Sequence, residues 1–296
     1  MLYFRDLSTL NHAKQTLYFT NPAELSLSNG QLKIRLSDES EHLRPIEDIR
    51  ILIVDHHSVH LTVPLLTKLS ENNVSVVFCN ESHIPVSMTM DLDANCRQTK
   101  FFRGQLEAAL PMKKQIWKQI VEHKIRNQAR LLDKLGMDGS RLKPYYSNVR
   151  SGDSSNREGA AAKVFWRQLF GKDFVRDRFA PPPNNLLNYG YALLRSFMAR
   201  AVMDAGLLPS IGVFHRNYFN AFPLVDDVME PYRPFVDERV FALFAEGVTE
   251  IDRRCKQELL EVFYSVLNYE MFSETAHSLA GIYSHTGNYM IYPILK

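Results

Sequence analysis

The sequence predicts an α+β fold, in which a small N-terminal β-sandwich-like domain is followed by a larger all-α domain. Up to about residue 90, short runs of Ile, Val, Leu, Phe and Thr alternate with turn residues, a pattern typical of strands. After Asp93 the apolar residues recur every three or four positions, which indicates helices. The 296 residues suffice for two domains. We therefore assign residues 1–90 to a strand-rich domain, residues 91–98 to a linker and residues 99–296 to a helical domain.

The strand-rich domain is predicted from four segments, "TLYFTN", "ELSLSNGQLKIRL", "DIRILIVDHH" and "NVSVVFCN". Asn29-Gly30 interrupts the second segment and is a strong signal for a two-residue hairpin turn. The segment "VPLLTKLSENN" predicts one short helix, and "IPVSMTM" predicts a final strand.

The helical domain opens with a long apolar stripe. Ile116, Trp117, Ile120 and Val121 recur at helical intervals, and Gly136 is the predicted stop. Further helices are predicted around Ser155–Phe170, Asn184–Ala205, Arg233–Ala245 and Lys256–Tyr269.

Composition excludes several classes of protein. Apolar residues make up 45% and charged residues 23% of the chain, values of an ordinary globular protein. We expect neither a secretory signal nor a membrane helix, because the N-terminus lacks a basic segment followed by an apolar one and no apolar run reaches about 18 residues. Cys79, Cys96 and Cys255 are too scattered for a zinc knuckle or a disulfide framework. These features predict a protein of the reducing cytoplasm.

Basic residues are concentrated in two segments. Residues 111–130 carry six Lys or Arg against the single acid Glu122, and residues 141–178 carry nine basic against four acidic residues. This distribution fits a polyanionic partner, although charge alone favours the solvated face of a helix.

An acidic cluster follows a histidine in "GVFHRNYFNAFPLVDDVMEPYRPFVD", residues 212–237. Asp226, Asp227 and Glu230 stand at helical spacings at which like charges repel. A cation would remove this penalty, whether a metal ion held together with His215 or a neighbouring arginine, Arg216 or Arg233.

A third candidate ligand, Glu158, lies in "DSSNREGAAAKVFWRQLFG". It could be a metal ligand, or it could complete a capping box with Ser155 as the N-cap residue. The small residues from Gly159 to Ala162 predict open space beside the carboxylate for a substrate or another backbone. Phosphate-binding glycine loops and the G-x-S-x-G nucleophile motif do not occur in the sequence.

Three segments resemble the CRISPR adaptation integrase family, and more specifically its type II branch. They are "NREGAAAKVFWRQLFG", "NNLLNYGYALLRS" and "GLLPSIGVFHRNYFNAFPLVDDVMEPYRPFVD". The segment "HLTVPLLTKLSENNVSVVFCNESHIPVS" is similar to the family's β-sandwich domain, so the resemblance covers essentially the whole chain.

The resemblance implies that Glu158, His215 and Glu230 are the catalytic residues and hold Mg²⁺ or Mn²⁺, with Asp227 assisting. The implied reaction is a transesterification, in which the 3′-hydroxyl of a prespacer DNA end attacks a phosphodiester at the edge of a CRISPR repeat. Residues 99–296 would form the catalytic domain. The two basic segments would then contact DNA phosphates.

The resemblance further implies a homodimer made through residues 1–90 and a complex with a small CRISPR-associated partner protein. The type II effector nuclease and an accessory protein are additional candidate partners, and no membrane is expected. Two alternatives remain open at this stage. One is a stand-alone metal-dependent nuclease acting on branched DNA, and the other is a non-catalytic DNA-binding scaffold in which Glu158 caps a helix and Glu230 forms an ion pair.

Overall fold

The computed structural model describes residues 4–6, 14–91, 95–215 and 217–296, and it divides into two compact units, residues 1–94 and 95–296. The predicted linker, residues 91–98, spans this division, and its residues 92–94 lie outside the described residues. Most of the N-terminal stretch searched for a signal sequence also lies outside them, as does Arg216.

The first unit consists of strands and one helix. The helix, α1, spans Val63–Glu71. The strands are β1 Phe4–Asp6, β2 Gln15–Phe19, β3 Ala23–Ser28, β4 Gln31–Leu36, β5 Glu41–Pro45, β6 Ile49–Val54, β7 Val59–Leu61, β8 Ser75–Cys79 and β9 Pro85–Met88. They form a mixed sheet in the order β1-β2-β6-β8-β9 and a second sheet in the order β5-β4-β3-β7.

The two sheets share one hydrophobic core, which confirms the sandwich-like domain. Leu17 and Leu52, paired across β2 and β6, are fully buried with Leu25 and Leu32 of the second sheet, and Leu69 of α1 completes the layer. All the predicted strands and the predicted helix are present. Strands β1, β5 and β7 were not predicted, and β5 shows why: its sequence, EHLRP, is polar and poorly buried, so it has no apolar alternation.

The hairpin between β3 and β4 turns at the predicted dipeptide. Asn29 and Gly30 have φ angles of 50° and 75°, and Ser28 pairs with Gln31 on either side of them. Positive φ at both central residues is what a type I′ turn requires, which is why Asn-Gly predicts it so well.

The second unit consists of helices and loops, with no strand among its described residues, as predicted. Its α-helices are α2 Gln98–Glu107, α3 Leu110–Lys134, α4 Lys143–Tyr146, α5 Arg157–Leu169, α6 Asn184–Asp204, α7 Pro223–Val228, α8 Arg233–Ala245, α9 Arg253–Glu261 and α10 Tyr269–Tyr283. Short 3₁₀ turns at Ser151–Asp153 and Glu230–Tyr232 precede α5 and α8. Helix α3 packs against α5, α8 and the Glu230 turn, so it is the element that connects the parts of the site described below.

One predicted helix ends earlier than expected. Of the segment Lys256–Tyr269, α9 covers the part up to Glu261 and a π-helical turn continues it over Val262–Val266, but α10 begins separately at Tyr269. Asn268 causes the break, because its backbone is extended and its side chain caps α10 by accepting the N–H of Met271 at 3.0 Å.

The three cysteines all lie within the described residues and form no disulfide, as predicted. Among the described residues, no helix is both long enough and apolar enough to cross a bilayer.

Candidate active site

Glu158 lies in the first turn of α5, but its carboxylate does not cap the helix. Asp153 accepts the backbone N–H of Glu158 and of the preceding residue, at 3.0 and 2.7 Å, and Asn156 is the N-cap residue. The predicted capping box with Ser155 is therefore wrong, because Asp153 and Asn156 already satisfy the N–H groups at the start of the helix. The Glu158 carboxylate is left to make a contact elsewhere.

The absence of a side chain at Gly159 has a local reason. A Cβ atom at Gly159 would lie 2.7 Å from Asn156 Oδ1, the atom that accepts the Gly159 N–H at 3.1 Å. The missing side chain therefore accommodates the helix cap rather than a substrate.

Glu230 begins a 3₁₀ turn between α7 and α8. Helix α7 ends at Val228, and Pro231 follows Glu230, so the acidic cluster does not continue as one helix. The side chain of Asn127, on α3, donates a hydrogen bond to the carbonyl of Pro231 at 2.8 Å and so fixes the turn to that helix. The Glu230 side chain is only 7% exposed.

The three acids of the cluster have different partners. Asp226 forms a two-pronged ion pair with Arg195, at 2.7 and 3.1 Å. Glu230 Oε1 lies 2.9 Å from the guanidinium of Arg233, the arginine that the sequence offered as a counter-charge. Asp227 turns instead to the loop that carries His215.

Asp227 positions His215. Its fully buried carboxylate accepts the N–H groups of Val213 and Phe214, at 2.7 and 2.9 Å, and lies 2.5 Å from His215 Nδ1. This hydrogen bond raises the pKa of His215. Because Nδ1 is engaged, Nε2 is the ring nitrogen left for a ligand, the arrangement that orients metal-binding histidines.

Lys124, on α3, joins the two glutamates. Its Nζ atom lies 2.6 Å from Glu158 Oε1 and 2.6 Å from Glu230 Oε2, and its side chain is 13% exposed. Burial alone would raise the pKa of Glu230, but the charges of Arg233 and Lys124 hold it at about 2. Burial would likewise lower the pKa of Lys124, and the two carboxylates raise it instead. The Lys124 ammonium and the Glu230 carboxylate are therefore both charged.

One atom of this contact lacks a hydrogen bond. Glu230 Oε2 is buried and close to the Lys124 ammonium, yet the geometry between them forms an ion pair without a hydrogen bond. Glu158 and Glu230 also act on His215, whose pKa both carboxylates raise. Glu158, His215 and Glu230, the three residues predicted from the sequence, therefore lie close enough for their charges to interact.

Two ionised carboxylates and an imidazole nitrogen are donors that suit Mn²⁺ or Mg²⁺. Within the described residues, no three His, Cys, Asp or Glu side chains surround a common point as metal ligands would. The Lys124 ammonium instead lies between the carboxylates of Glu158 and Glu230. The chemistry of the donors fits a divalent cation, which Glu158, Glu230 and His215 would hold.

Comparison with known proteins identifies the family of this chain. Residues 17–263 match the family described as "CRISPR associated protein Cas1". A "CRISPR-associated endonuclease Cas1" from Neisseria meningitidis serogroup C is 38% identical over 268 residues, which cover 89% of this chain and 86% of the relative. The chain belongs to the Cas1 family. The family resemblance drawn from the sequence is confirmed.

Two solved structures have the same fold as this chain. A "Casposase bound to integration product" superposes with a TM-score of 0.72 at 21% identity, covering 93% of this chain and 94% of the other. A "Cas6-RT-Cas1--Cas2 complex" superposes with a TM-score of 0.74 at 18% identity, covering 96% of this chain and 36% of that one. At such identities the likeness establishes the fold.

Sequence reasoning missed two positively charged residues of this Cas1-family site. Lys124 was grouped with the basic surface of residues 111–130, although it follows Ile120 by four and Trp117 by seven positions and so lies on the buried stripe of α3. That spacing was the available signal. Arg195 has no comparable signal, because its partners Asp226 and Asn220 are distant in sequence.

A cleft of about 540 Å³ opens beside His215. Lys113 from α3 lines it, together with Asn217 and Tyr218 from the loop that follows the histidine. The side chains of Tyr218 and Phe219 are fully exposed. A cleft with a lysine and an exposed aromatic ring therefore lies next to the imidazole.

Proposed function

We propose that this protein is a metal-dependent DNA integrase and endonuclease of CRISPR spacer acquisition. It would join the 3′-hydroxyl ends of prespacer DNA to the CRISPR repeat by transesterification. The observation that carries the proposal is the meeting of Glu158 and Glu230, from separate elements, at one cation beside a histidine that Asp227 orients. Family membership supports it, because the Neisseria relative bears the name of an endonuclease and the casposase was solved with an integration product.

The residues that would hold Mg²⁺ or Mn²⁺ are Glu158, Glu230 and, through Nε2, His215. When bound, such an ion supplies a Lewis acid for the phosphodiester and the attacking hydroxyl. Arg233 keeps Glu230 ionised, and Asp227 holds the imidazole in one orientation. No protein nucleophile is needed, because the attacking group belongs to the DNA.

The surface near the site suits a DNA strand. Lys113 in the cleft, with the exposed Lys114, Arg126 and Arg130 on α3, can neutralise phosphates. Tyr218 and Phe219 offer faces on which unpaired bases can stack. Lys124 is not one of these phosphate contacts, because its ammonium is paired with two carboxylates.

The partners follow from the family. We infer a homodimer through the β-rich unit and an assembly with a small CRISPR-associated protein of the Cas2 kind, since one structural neighbour is a Cas1–Cas2 complex. A type II effector nuclease and an accessory protein remain predictions from the sequence resemblance, as does the cytoplasmic location.

The test is a strand-transfer assay with the purified protein and its small partner. The substrates are a labelled duplex with free 3′-hydroxyls and a supercoiled plasmid that carries a CRISPR repeat, in Mn²⁺ or in EDTA. Wild type should join label to plasmid only with Mn²⁺, and both Glu158→Gln and His215→Ala should abolish joining. Glu122→Gln is the matched control: Glu122 lies on α3 and makes only 3.8 Å ion pairs, so joining should persist.

Each alternative predicts a different product. A stand-alone nuclease would cleave branched DNA and leave no joined product. A scaffold would bind DNA equally in all variants, with no dependence on metal. Joining that persists undiminished in Glu158→Gln and His215→Ala would refute the assignment of the site.

A further inference from the structure

Lys124 is the residue of the site whose position is least expected. A lysine normally keeps its ammonium in water, yet this one lies within 2.6 Å of two carboxylates with its side chain 13% exposed. Elsewhere on α3, Lys114, Arg126 and Arg130 are exposed. The helix therefore directs a single basic side chain into the group of acids.

The two carboxylates that contact the ammonium come from separate elements. Glu158 comes from the start of α5, and Glu230 comes from the turn before α8. Both elements pack on α3 through other contacts, such as the hydrogen bond from Asn127 to the carbonyl of Pro231. The backbone therefore holds the half-buried carboxylate of Glu158 close to the buried carboxylate of Glu230, and a cation between them offsets their repulsion.

Arg233 cannot fill that role alone. Its guanidinium reaches Glu230 Oε1 at 2.9 Å, on the far side of the carboxylate from the oxygen that faces Lys124. Glu230 Oε2 has the ammonium as its ion-pair partner but no hydrogen bond, so this oxygen is poorly satisfied by the lysine. An ion that coordinates oxygen directly would satisfy it better.

We propose that Lys124 is the resident counter-ion of the site and competes with the divalent metal for Glu158 and Glu230. Without metal, the ammonium neutralises the two carboxylates and keeps them in place. When Mg²⁺ or Mn²⁺ binds, the ammonium leaves the space between them, so metal binding includes the cost of breaking two ion pairs. This proposal rests on the proposed function, because it takes the two glutamates as metal ligands.

The test measures Mn²⁺ binding rather than activity. Free Mn²⁺ is followed by its electron paramagnetic resonance signal while MnCl₂ is titrated into the purified protein. Lys124→Met removes the charge and keeps the chain length, and should bind Mn²⁺ at least about tenfold more tightly than wild type. Lys118→Met is the control: Lys118 lies on the same helix, 3.8 Å from Glu122, and its removal should leave the affinity unchanged.

Stability gives a second readout that a purely structural lysine would not produce. In EDTA, Lys124→Met should melt at a lower temperature than wild type, because the half-buried Glu158 and the buried Glu230 lose the ammonium that they share, and Arg233 still pairs only with Glu230 Oε1. Mn²⁺ should restore its melting temperature, and should raise that temperature more than it raises that of wild type. If Lys124→Met folds only with Mn²⁺, the proposal is supported. If it folds in neither condition, Lys124→Gln takes its place in both measurements.

The outcomes separate the two hypotheses. If Lys124→Met binds Mn²⁺ no more tightly than wild type, Lys124 does not compete with the metal, while the metal site itself stands. If wild type, Lys124→Met and Lys124→Gln all fail to bind Mn²⁺, the metal site of the proposed function is overturned. Tighter binding in Lys124→Met must also disappear when Glu158→Gln is added, because otherwise the ion is bound elsewhere.

Discussion

Each unit of the molecule contains a buried aspartate that faces a histidine Nδ1 atom. In the β-rich unit, Asp55 lies 2.9 Å from His83 Nδ1 and accepts a hydrogen bond from the Tyr18 hydroxyl at 2.5 Å. In the helical unit, Asp227 lies 2.5 Å from His215 Nδ1. Both aspartate side chains are fully buried, and the two histidines are 40% and 43% exposed. As isolated pairs, the two are nearly equivalent.

Their surroundings differ. The ionisable groups near Asp55 include further histidines: the pKa of His56 is lowered first by burial and then by the charge of His57. Around His215 the neighbours are Glu158 and Glu230, which raise its pKa, and these two acids share the Lys124 ammonium. A buried aspartate–histidine pair is therefore weak evidence of a metal site. The second pair of acids, held at one cation, is what distinguishes the helical unit.

The largest expected effect comes from replacing the aspartate of each pair. Asp227→Asn removes the negative charge that faces His215 Nδ1 and replaces one of the two accepting oxygens with an NH₂ group, and should lower the strand-transfer rate by about tenfold to a hundredfold. Asp55→Asn should cost about 1–3 kcal/mol of stability, since Tyr18 and His83 lose a charged acceptor, but should leave the rate within about threefold of wild type. Strand-transfer rates and thermal melts of both variants measure the two effects.

This comparison fails if Asp55→Asn slows strand transfer as much as Asp227→Asn does. It also fails if Asp227→Asn reacts at the wild-type rate. Either result would mean that the pair in the helical unit has no special part in the reaction.

The sequence predicted those parts of the fold that depend on local pattern. Alternation identified β2, β3, β4, β6, β8 and β9, and the Asn29-Gly30 turn was confirmed at positive φ. Helical spacing identified α3, α6 and α8 closely. Strand β5 was missed because it is polar, and α10 because only two residues, Leu267 and Asn268, separate it from the preceding helical segment.

The candidate site was predictable only in part, because its contacts join distant segments. Glu158, His215 and Glu230 came from the family resemblance, and whether they bind a metal remains a prediction. The cap formed by Asp153 and Asn156 was not predicted, since several polar residues near position 155 could have capped α5. The position of Lys124 could not be deduced from its charge, because a surface lysine and a buried counter-ion have the same sequence letter.

A pair of glycines extends the comparison to the backbone. Gly212 precedes the His215 loop, and a Cβ atom there would lie 2.5 Å from the carbonyl oxygen of His215. Gly212→Ala must therefore shift the loop, and should lower the strand-transfer rate by about tenfold. Gly30 in the β3–β4 hairpin has a φ of 75° but open space around it, so Gly30→Ala should cost about 1 kcal/mol of stability and leave the rate unchanged.

Rates and melting temperatures of the two alanine variants give the result. Equal loss of activity in both would show that the protein responds to general destabilisation and not to the position of the histidine. A wild-type rate for Gly212→Ala would show that the loop tolerates displacement.

The smallest expected effect concerns a third buried acid, which has no histidine partner. Burial raises the pKa of Asp237 from 3.8 to about 7, although the hydrogen bond from Tyr191 and the charge of Arg233 oppose the change. Between these two values the folded protein holds a proton that the unfolded chain releases. Stability should therefore fall as pH rises through this range.

Asp237→Asn replaces the titrating carboxyl group with an amide, which keeps an oxygen that can accept the Tyr191 hydroxyl. The stability of this variant should therefore fall less steeply as the pH rises. Urea unfolding at several pH values between 4.5 and 7.5 measures how steeply stability falls with pH in wild type and in the variant. EDTA is present so that metal binding adds no pH dependence.

Glu230 should show the opposite pH dependence, because its pKa is held at about 2. Its stabilising contribution is complete above its ordinary pKa of 4.5 and is lost only as the pH falls toward 2. An unchanged slope in Asp237→Asn would mean that Asp237 is ionised throughout. The environment of this buried acid, too, would then favour the charged form, as that of Glu230 does.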